Sequence, residues 1–225
     1  MKKIKVFITV MAVIFGFGAM AQFTYGPKLG LNLANQSGDV ENNKMLIGFN
    51  IGVAGNYSIT DMFSVQAEIS YDKKGAKYEW EDETGNKTST PVSFGYINIP
   101  IMGVASFGDD IKFFGEIGPT IGILTSAKID GESEFDMPVY DPQNPWAPPT
   151  YEKVKYKDWY KSTDIGLVIG AGAGIPVSNM VCKVDIRYNF SLATIHEPDS
   201  GSNEEEENIK NSVISINATL MFGGK

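Results

Sequence analysis

The stretch from Val181 to Leu192, V-C-K-V-D-I-R-Y-N-F-S-L, sorts into two rows when laid out as an extended chain. Val184, Ile186, Tyr188, Phe190 and Leu192 fall on one face, and Lys183, Asp185, Arg187, Asn189 and Ser191 on the other, because successive side chains of a strand point to opposite sides. A helix would mix these rows within a turn, so the period of two predicts a strand whose faces meet different media. One face is apolar throughout, while the other holds three charges. A transmembrane barrel supplies two such media, lipid outside and a narrow polar lumen inside. A soluble lipocalin-type barrel reverses them, with an apolar interior. It would have to seat Lys183, Asp185, Arg187 and Glu68 among lumen-lining apolar rows.

Working outward, the same two-row test predicts eight strands. They run at about Phe23 to Ala34, Leu46 to Tyr57, Phe63 to Asp72, Ser93 to Phe107, Ile111 to Ala127, Thr163 to Val177, Val181 to Ile195 and Ser212 to Phe222. The third is the cleanest of the rest: Phe63, Val65, Ala67, Ile69 and Tyr71 alternate with Ser64, Gln66, Glu68, Ser70 and Asp72. Short turns near Ser58 to Met62, Gly108 to Asp110 and Ser178 to Met180 alternate with long connections. The long ones are Asn35 to Met45, Gly75 to Pro91, Asp130 to Asp158 and His196 to Asn208. In an up-and-down antiparallel barrel all short turns share one end, and in outer-membrane barrels that end is periplasmic. The fold class expected is therefore all-β, an eight-stranded antiparallel up-and-down transmembrane barrel. Tyr25, Tyr57, Phe63, Phe107, Phe113 and Phe222 mark one membrane interface, and Tyr71, Phe94 and Trp159 the other.

Residues 1–21 stand apart. Lys2, Lys3 and Lys5 precede an apolar run, Val6 to Phe17, that ends in Ala19-Met20-Ala21, the pattern of a cleaved export signal rather than of a membrane helix. The expected domain layout is a signal peptide over 1–21 and one barrel domain over 22–225. Losing three of the 19 basic residues against 27 acidic ones takes the formal charge from −8 to −11, which excludes nucleic acid as a natural partner. Cys182 is the single cysteine, so no disulfide closes within the chain.

The chemistry-bearing residues fall into two groups. Lys28, Glu68, Asp72, Glu116, Asp164, Lys183, Asp185 and Arg187 occupy lumen rows, where an eight-stranded barrel is just wide enough for side chains to fill. They are expected to pair with one another, with Arg187 reaching Glu68 and Glu116. A general diffusion pore is disfavoured. The connection from Asp130 to Asp158 carries Phe135, Tyr140, Trp146 and Tyr151 among five prolines. It either recognises a protein or glycan outside the cell or packs across the barrel mouth. His196 with Glu197 and Asp199 lacks a matched nucleophile, and the run Glu204 to Glu207 lacks calcium-loop spacing. No catalytic, cofactor or metal residue set is expected, and membrane lipid is the surrounding partner.

Four segments in order carry a resemblance. Gly26-Pro27-Lys28-Leu29-Gly30-Leu31-Asn32, Tyr96-Ile97-Asn98-Ile99-Pro100, Gly118-Pro119-Thr120-Ile121-Gly122 and Asp164-Ile165-Gly166 through Gly172 resemble the strand motifs of the PorT-like family of outer-membrane β-barrel proteins. Ile97 and Asn98 stand where that family has Leu and Glu. The resemblance implies an integral outer-membrane barrel with no catalytic set, some relatives being linked to protein secretion. The functional expectation is a plugged barrel with a structural or cell-surface interaction role through its external loops. The alternatives are a small channel, a secretion-associated barrel or, last, a barrel enzyme.

Overall fold

A computed structural model describes residues 22–81, 85–140, 148–196 and 208–223. The export segment expected over 1–21 lies outside them. Five strands come first: β1 (Phe23–Gly38), β2 (Asn43–Ser58), β3 (Phe63–Glu81), β4 (Lys87–Phe107) and β5 (Lys112–Ile129). A small hairpin follows, β6 (Glu134–Val139) and β7 (Thr150–Lys155), then a 3₁₀ turn at Tyr156–Trp159. The chain ends with β8 (Thr163–Val177), β9 (Met180–Ser191) and β10 (Ile209–Gly223). Among the described residues, eight antiparallel strands close in the order β1-β10-β9-β8-β5-β4-β3-β2. Closure leaves no sheet edge facing lipid, so every ladder hydrogen bond is made within the wall. No described helix is long and apolar enough to cross a membrane; the crossing is made by strands.

The two rows of β9 face as their chemistry requires. Ile186 is 59% exposed on the outer wall while its neighbour Arg187 is 2% exposed inside. Leu29, Leu31, Ile51, Ile69, Ile117, Ile169 and Ile216 continue the same apolar outer band around the barrel. At the tight-turn end, β8 and β9 are joined by two residues, Ser178 adopting φ 59°, and both ends of the barrel strands, Thr24 and Gly223, meet there. Exposed Tyr25, Tyr57, Phe63, Phe107 and Phe113 ring this end.

The opposite end departs from expectation. The connections predicted as loops over Asn35 to Met45 and Gly75 to Pro91 are largely strand: β1 and β2 run on until four residues separate them, and β3 extends to Glu81 against β4 from Lys87. There the outward row turns polar while the inward row stays buried at Gln36, Lys74, Ala76 and Val92, so apolar alternation stops although pairing continues. The connection from Asp130 to Asp158 contains the paired β6 and β7, which were not among the eight strands expected. Phe94, assigned to the outer interface ring, is fully buried inside. It lies in the row of Val92, Tyr96 and Asn98, and that row faces the lumen.

Candidate functional site

The lumen is occupied by side chains, and Arg187 is their centre. From β9 its guanidinium spans to β3, where Nη1 and Nη2 donate to Glu68 at 2.8 and 2.9 Å. On its other edge Nε lies 2.6 Å from Glu116 on β5 and 2.8 Å from Asp185. These last contacts are electrostatic: Nε and both Glu116 oxygens lack aligned hydrogen bonds. Glu68 also accepts from Lys28 Nζ at 2.7 Å and from Gln66 Nε2 at 2.6 Å. One carboxylate thus gathers donors from β1, β3 and β9. Lys183 donates to Gln66 at 2.5 Å and sits 4.3 Å over the Phe114 ring.

Why long side chains fit here follows from the glycines opposite them. A Cβ on Gly170 of β8 would fall 2.8 Å from Arg187 Cγ and 3.0 Å from a Glu116 oxygen. A Cβ on Gly30 would meet Asn217 and Asn50 at 2.3 and 2.6 Å. In so narrow a barrel the interior closes only by setting small residues against large ones.

An amide layer lies above the ions. Asn50 donates to Asn32 and Asn217 at 2.8 and 2.9 Å, and Asn217 donates to Asp185 at 2.6 Å. A second charged layer follows toward the long-connection end. Asp72 accepts from Ser70 and Asn98 at 2.7 and 2.8 Å, and Lys74 lies 3.5 Å from Asp164 and 4.9 Å over the Tyr96 ring. Asn211 donates to Asp164 at 3.0 Å. Above that, Val92, Phe94, Tyr96, Leu124, Ala127 and Ile195 form an apolar cap packed with Tyr156 and Tyr160. Phe94 meets Tyr160 edge-on at 4.6 Å.

All eight charged residues expected in the lumen are buried there. Lys28 is 6% exposed and bound to Glu68. Lys74 and the cap were not foreseen. The signal for Lys74 was its parity with Asp72, hidden because the strand was ended at Asp72. The eight carry three positive and five negative charges, a balance of −2 that Lys74 brings to −1. Of the aromatic loop residues, Tyr140 and Tyr151 are 62% and 66% exposed. Phe135 is not presented freely: it packs on Tyr156 and Trp159 at 5.3 and 5.4 Å, because strand β6 turns it toward the 3₁₀ turn. Trp146 lies outside the described residues, as do Glu197, Asp199 and the acidic run Glu204 to Glu207. His196 bridges Tyr160 through backbone pairing, their rings 6.3 Å apart.

An exposed apolar belt around a closed barrel with a polar, side-chain-filled interior defines an integral outer-membrane barrel. The family described as outer membrane protein beta-barrel domain matches residues 19–197, and the chain belongs to it; it is a protein of the bacterial outer membrane. No curated protein matches the chain significantly. Among solved structures it is similar to Ail, the attachment invasion locus protein of Yersinia pestis (15% identity, 89% of this chain and 99% of that one, TM-score 0.42). It is similar also to Neisserial surface protein A, NspA (13%, 89% and 97%, TM-score 0.47), and to the outer membrane protease OmpT from Escherichia coli (12%, 91% and 97%, TM-score 0.36).

Proposed function

We propose that this protein is a plugged barrel that serves as a membrane-embedded scaffold for cell-surface interaction, not as a pore or an enzyme. The observation that carries this reading is the layered interior: Arg187, Glu68, Glu116 and Asp185 have side chains 2% exposed or less, beneath an amide layer and an aromatic cap. A solute would have to displace all three. The exposed Tyr140 and Tyr151 on the β6–β7 hairpin support a protein or glycan partner at the long-connection end, which in this reading faces outside, with Phe135 and its ring neighbours as a stiffening base. The ordered glycine-rich motifs support a place within the PorT-like branch of the family, and the basic-apolar segment supports a cleaved leader over 1–21 ahead of the barrel at 22–225.

The discriminating experiment is planar-bilayer recording of the refolded full-length barrel. Silence is expected; a stable, large single-channel conductance overturns the plugged reading and favours a channel. Orientation is tested separately, by protease sites near positions 109 and 144 on intact cells. The second should be cleaved and the first protected.

A further inference from the structure

The ionic interior divides into two layers of unequal charge. Around Arg187, the buried Lys28, Lys183 and Arg187 face the buried Glu68, Glu116 and Asp185, so three positive charges meet three negative ones. In the layer beneath the cap, the buried Lys74 faces both Asp72 and Asp164. Among the described residues that layer carries one negative charge in excess. Asp72 meets neutral donors, Ser70 and Asn98, while Lys74 lies between Asn98 and Asp164, at 3.4 and 3.5 Å. A buried charge is costly without a counter-charge, and the mutual pairing that settles the lower layer leaves this one unbalanced.

The same layer holds oxygens that lack donors. Asp164 Oδ2 accepts from Asn211 at 3.0 Å, but Asp164 Oδ1, Asn211 Oδ1 and the Tyr96 hydroxyl have no aligned hydrogen bond. Asp164 is 5% exposed, Asn211 2% and Tyr96 0%. They come from β8, β10 and β4, and Tyr96 adjoins both of the others. Gly122 of β5 keeps the space beside them open: a Cβ there would fall 2.8 Å from Asn98 Oδ1, 3.1 Å from Tyr96 Cδ1 and 3.4 Å from Asp164 Cβ. Thr120 Oγ1, one inward position away on β5, also lacks a partner. Buried polar atoms are almost always satisfied, so orphaned oxygens gathered in one place call for a shared ligand. Water supplies hydrogens but no charge. A hard cation supplies the charge as well, and takes carboxylate and amide oxygens as its ligands.

We propose that this layer binds a monovalent cation, of the sodium class, on Asp164 Oδ1, Asn211 Oδ1 and the Tyr96 hydroxyl. One positive charge brings the layer, and with it the nine buried charges of the lumen, to neutrality, whereas a divalent ion would leave an excess of +1. Lys74 lies against Asp164 Oδ2, which confines the ion to the carboxylate's free oxygen. The cap of Val92, Phe94 and Ile195 closes over the site, so the ion is taken up as the barrel folds. It ties β4, β8 and β10 together as Arg187 ties β3, β5 and β9 below. The inference rests on the plugged interior proposed above, which the bilayer recording tests by itself.

The test refolds the full-length barrel in sodium chloride or in choline chloride at equal ionic strength. A bound ion stabilises only the folded state, so sodium at about tenfold its dissociation constant should raise the heat-modifiable transition by about 3 to 6 °C. Barrel refolded with radioactive sodium and then desalted should keep a single ion per chain. K74M, which takes the layer from −1 to −2, should enlarge the sodium shift. D164N, which neutralises the layer, should abolish it. A parent that retains no sodium overturns the proposal, as does equal melting in the two salts, whether or not the variants fold. So does a D164N barrel that keeps the parent's shift, a K74M barrel that loses it, or retention of calcium in preference to sodium. A silent bilayer with no retained sodium sinks this inference and leaves the plugged reading standing, whereas a large conductance sinks the plugged reading itself.

Discussion

Arg187–Glu68 and Lys153–Glu134 are both ion pairs at 2.8 Å, yet their side chains are 2% and 0% exposed in the first and 68% and 38% in the second. The first joins strands across the lumen; the second joins β6 to β7 outside the barrel. In the lumen, removing one partner strands a charge away from water. On the hairpin, water takes its place. The barrel therefore draws its rigidity from directional pairs inside, and the hairpin is left free to change its surface without unfolding the wall. That division suits a scaffold for recognition.

The sharpest way to break the comparison is Arg187→Met. Deleting one partner of a buried pair costs about 3 to 5 kcal/mol, and here Glu68, Glu116 and Asp185 lose their shared cation together. The heat-modifiable transition should fall steeply. Lys28→Met should cost clearly less, since Glu68 keeps both Arg187 bonds and Gln66. Equal losses in the two variants would mean that Arg187 does not organise the lattice.

The next effect in size contrasts the two faces of one strand. Ile186→Arg places a charge in hydrocarbon at a cost of about 2 to 4 kcal/mol near the midplane, read as lost folding yield into vesicles. Asn189→Arg, on the lumen side of β9, should be milder. Equal tolerance would show that the rows had been given the wrong media.

The legible part of this fold is the part that lies between two media. Wherever lipid stood on one side and lumen on the other, as at Ile186 and Arg187, alternation placed each residue, and the charged rows of β3, β5 and β9 could be put inside from parity alone. Legibility failed where the outer row stopped being apolar. From Lys73 the outward row of β3 turns polar while the inward row, Lys74 and Ala76, stays buried, and a strand with charge on both rows reads as a loop, which hid Lys74 from the lattice. Phe94 was misplaced because an aromatic residue suits an interface and a cap equally, and only the inward parity it shares with Tyr96 and Asn98 separates them. Tyr160 enters the cap from a connection, where no period exists to be read; Ile195 shares the inward parity of Arg187, although the strand expected to reach it ends at Ser191.

The cap offers a graded counterpart to the lattice, since its contacts have no direction. Ile195 is fully buried, and Ile195→Val removes one methylene, costing about 0.5 to 1.5 kcal/mol. The thermal transition should shift slightly, with the bilayer still silent, because the ionic layers beneath remain. A conducting Ile195→Val barrel would transfer the plugging role from the charges to the cap.

The smallest effect is expected on the hairpin, where Lys153 donates to Glu134 at 2.8 Å. Its hydrogen bond and charge hold the Glu134 carboxyl below the usual carboxylate range, and Glu134 in turn raises Lys153 above the usual lysine range. A carboxylate whose folded pKa is depressed adds stability above its ordinary range and loses it as pH falls through the depressed value. The raised lysine adds stability below its ordinary range and loses it as pH climbs through the raised one. The pair therefore acts across neutral pH and fades at both extremes, yet both groups are solvated, and exposed pairs contribute little. Lys153→Gln should leave the barrel's thermal transition where it was at neutral pH, while carboxyl NMR of Glu134 moves its titration back toward the ordinary range. Should Lys153→Gln lower the transition as Arg187→Met does, the hairpin would be part of what holds the wall closed, and its freedom to serve recognition would be lost.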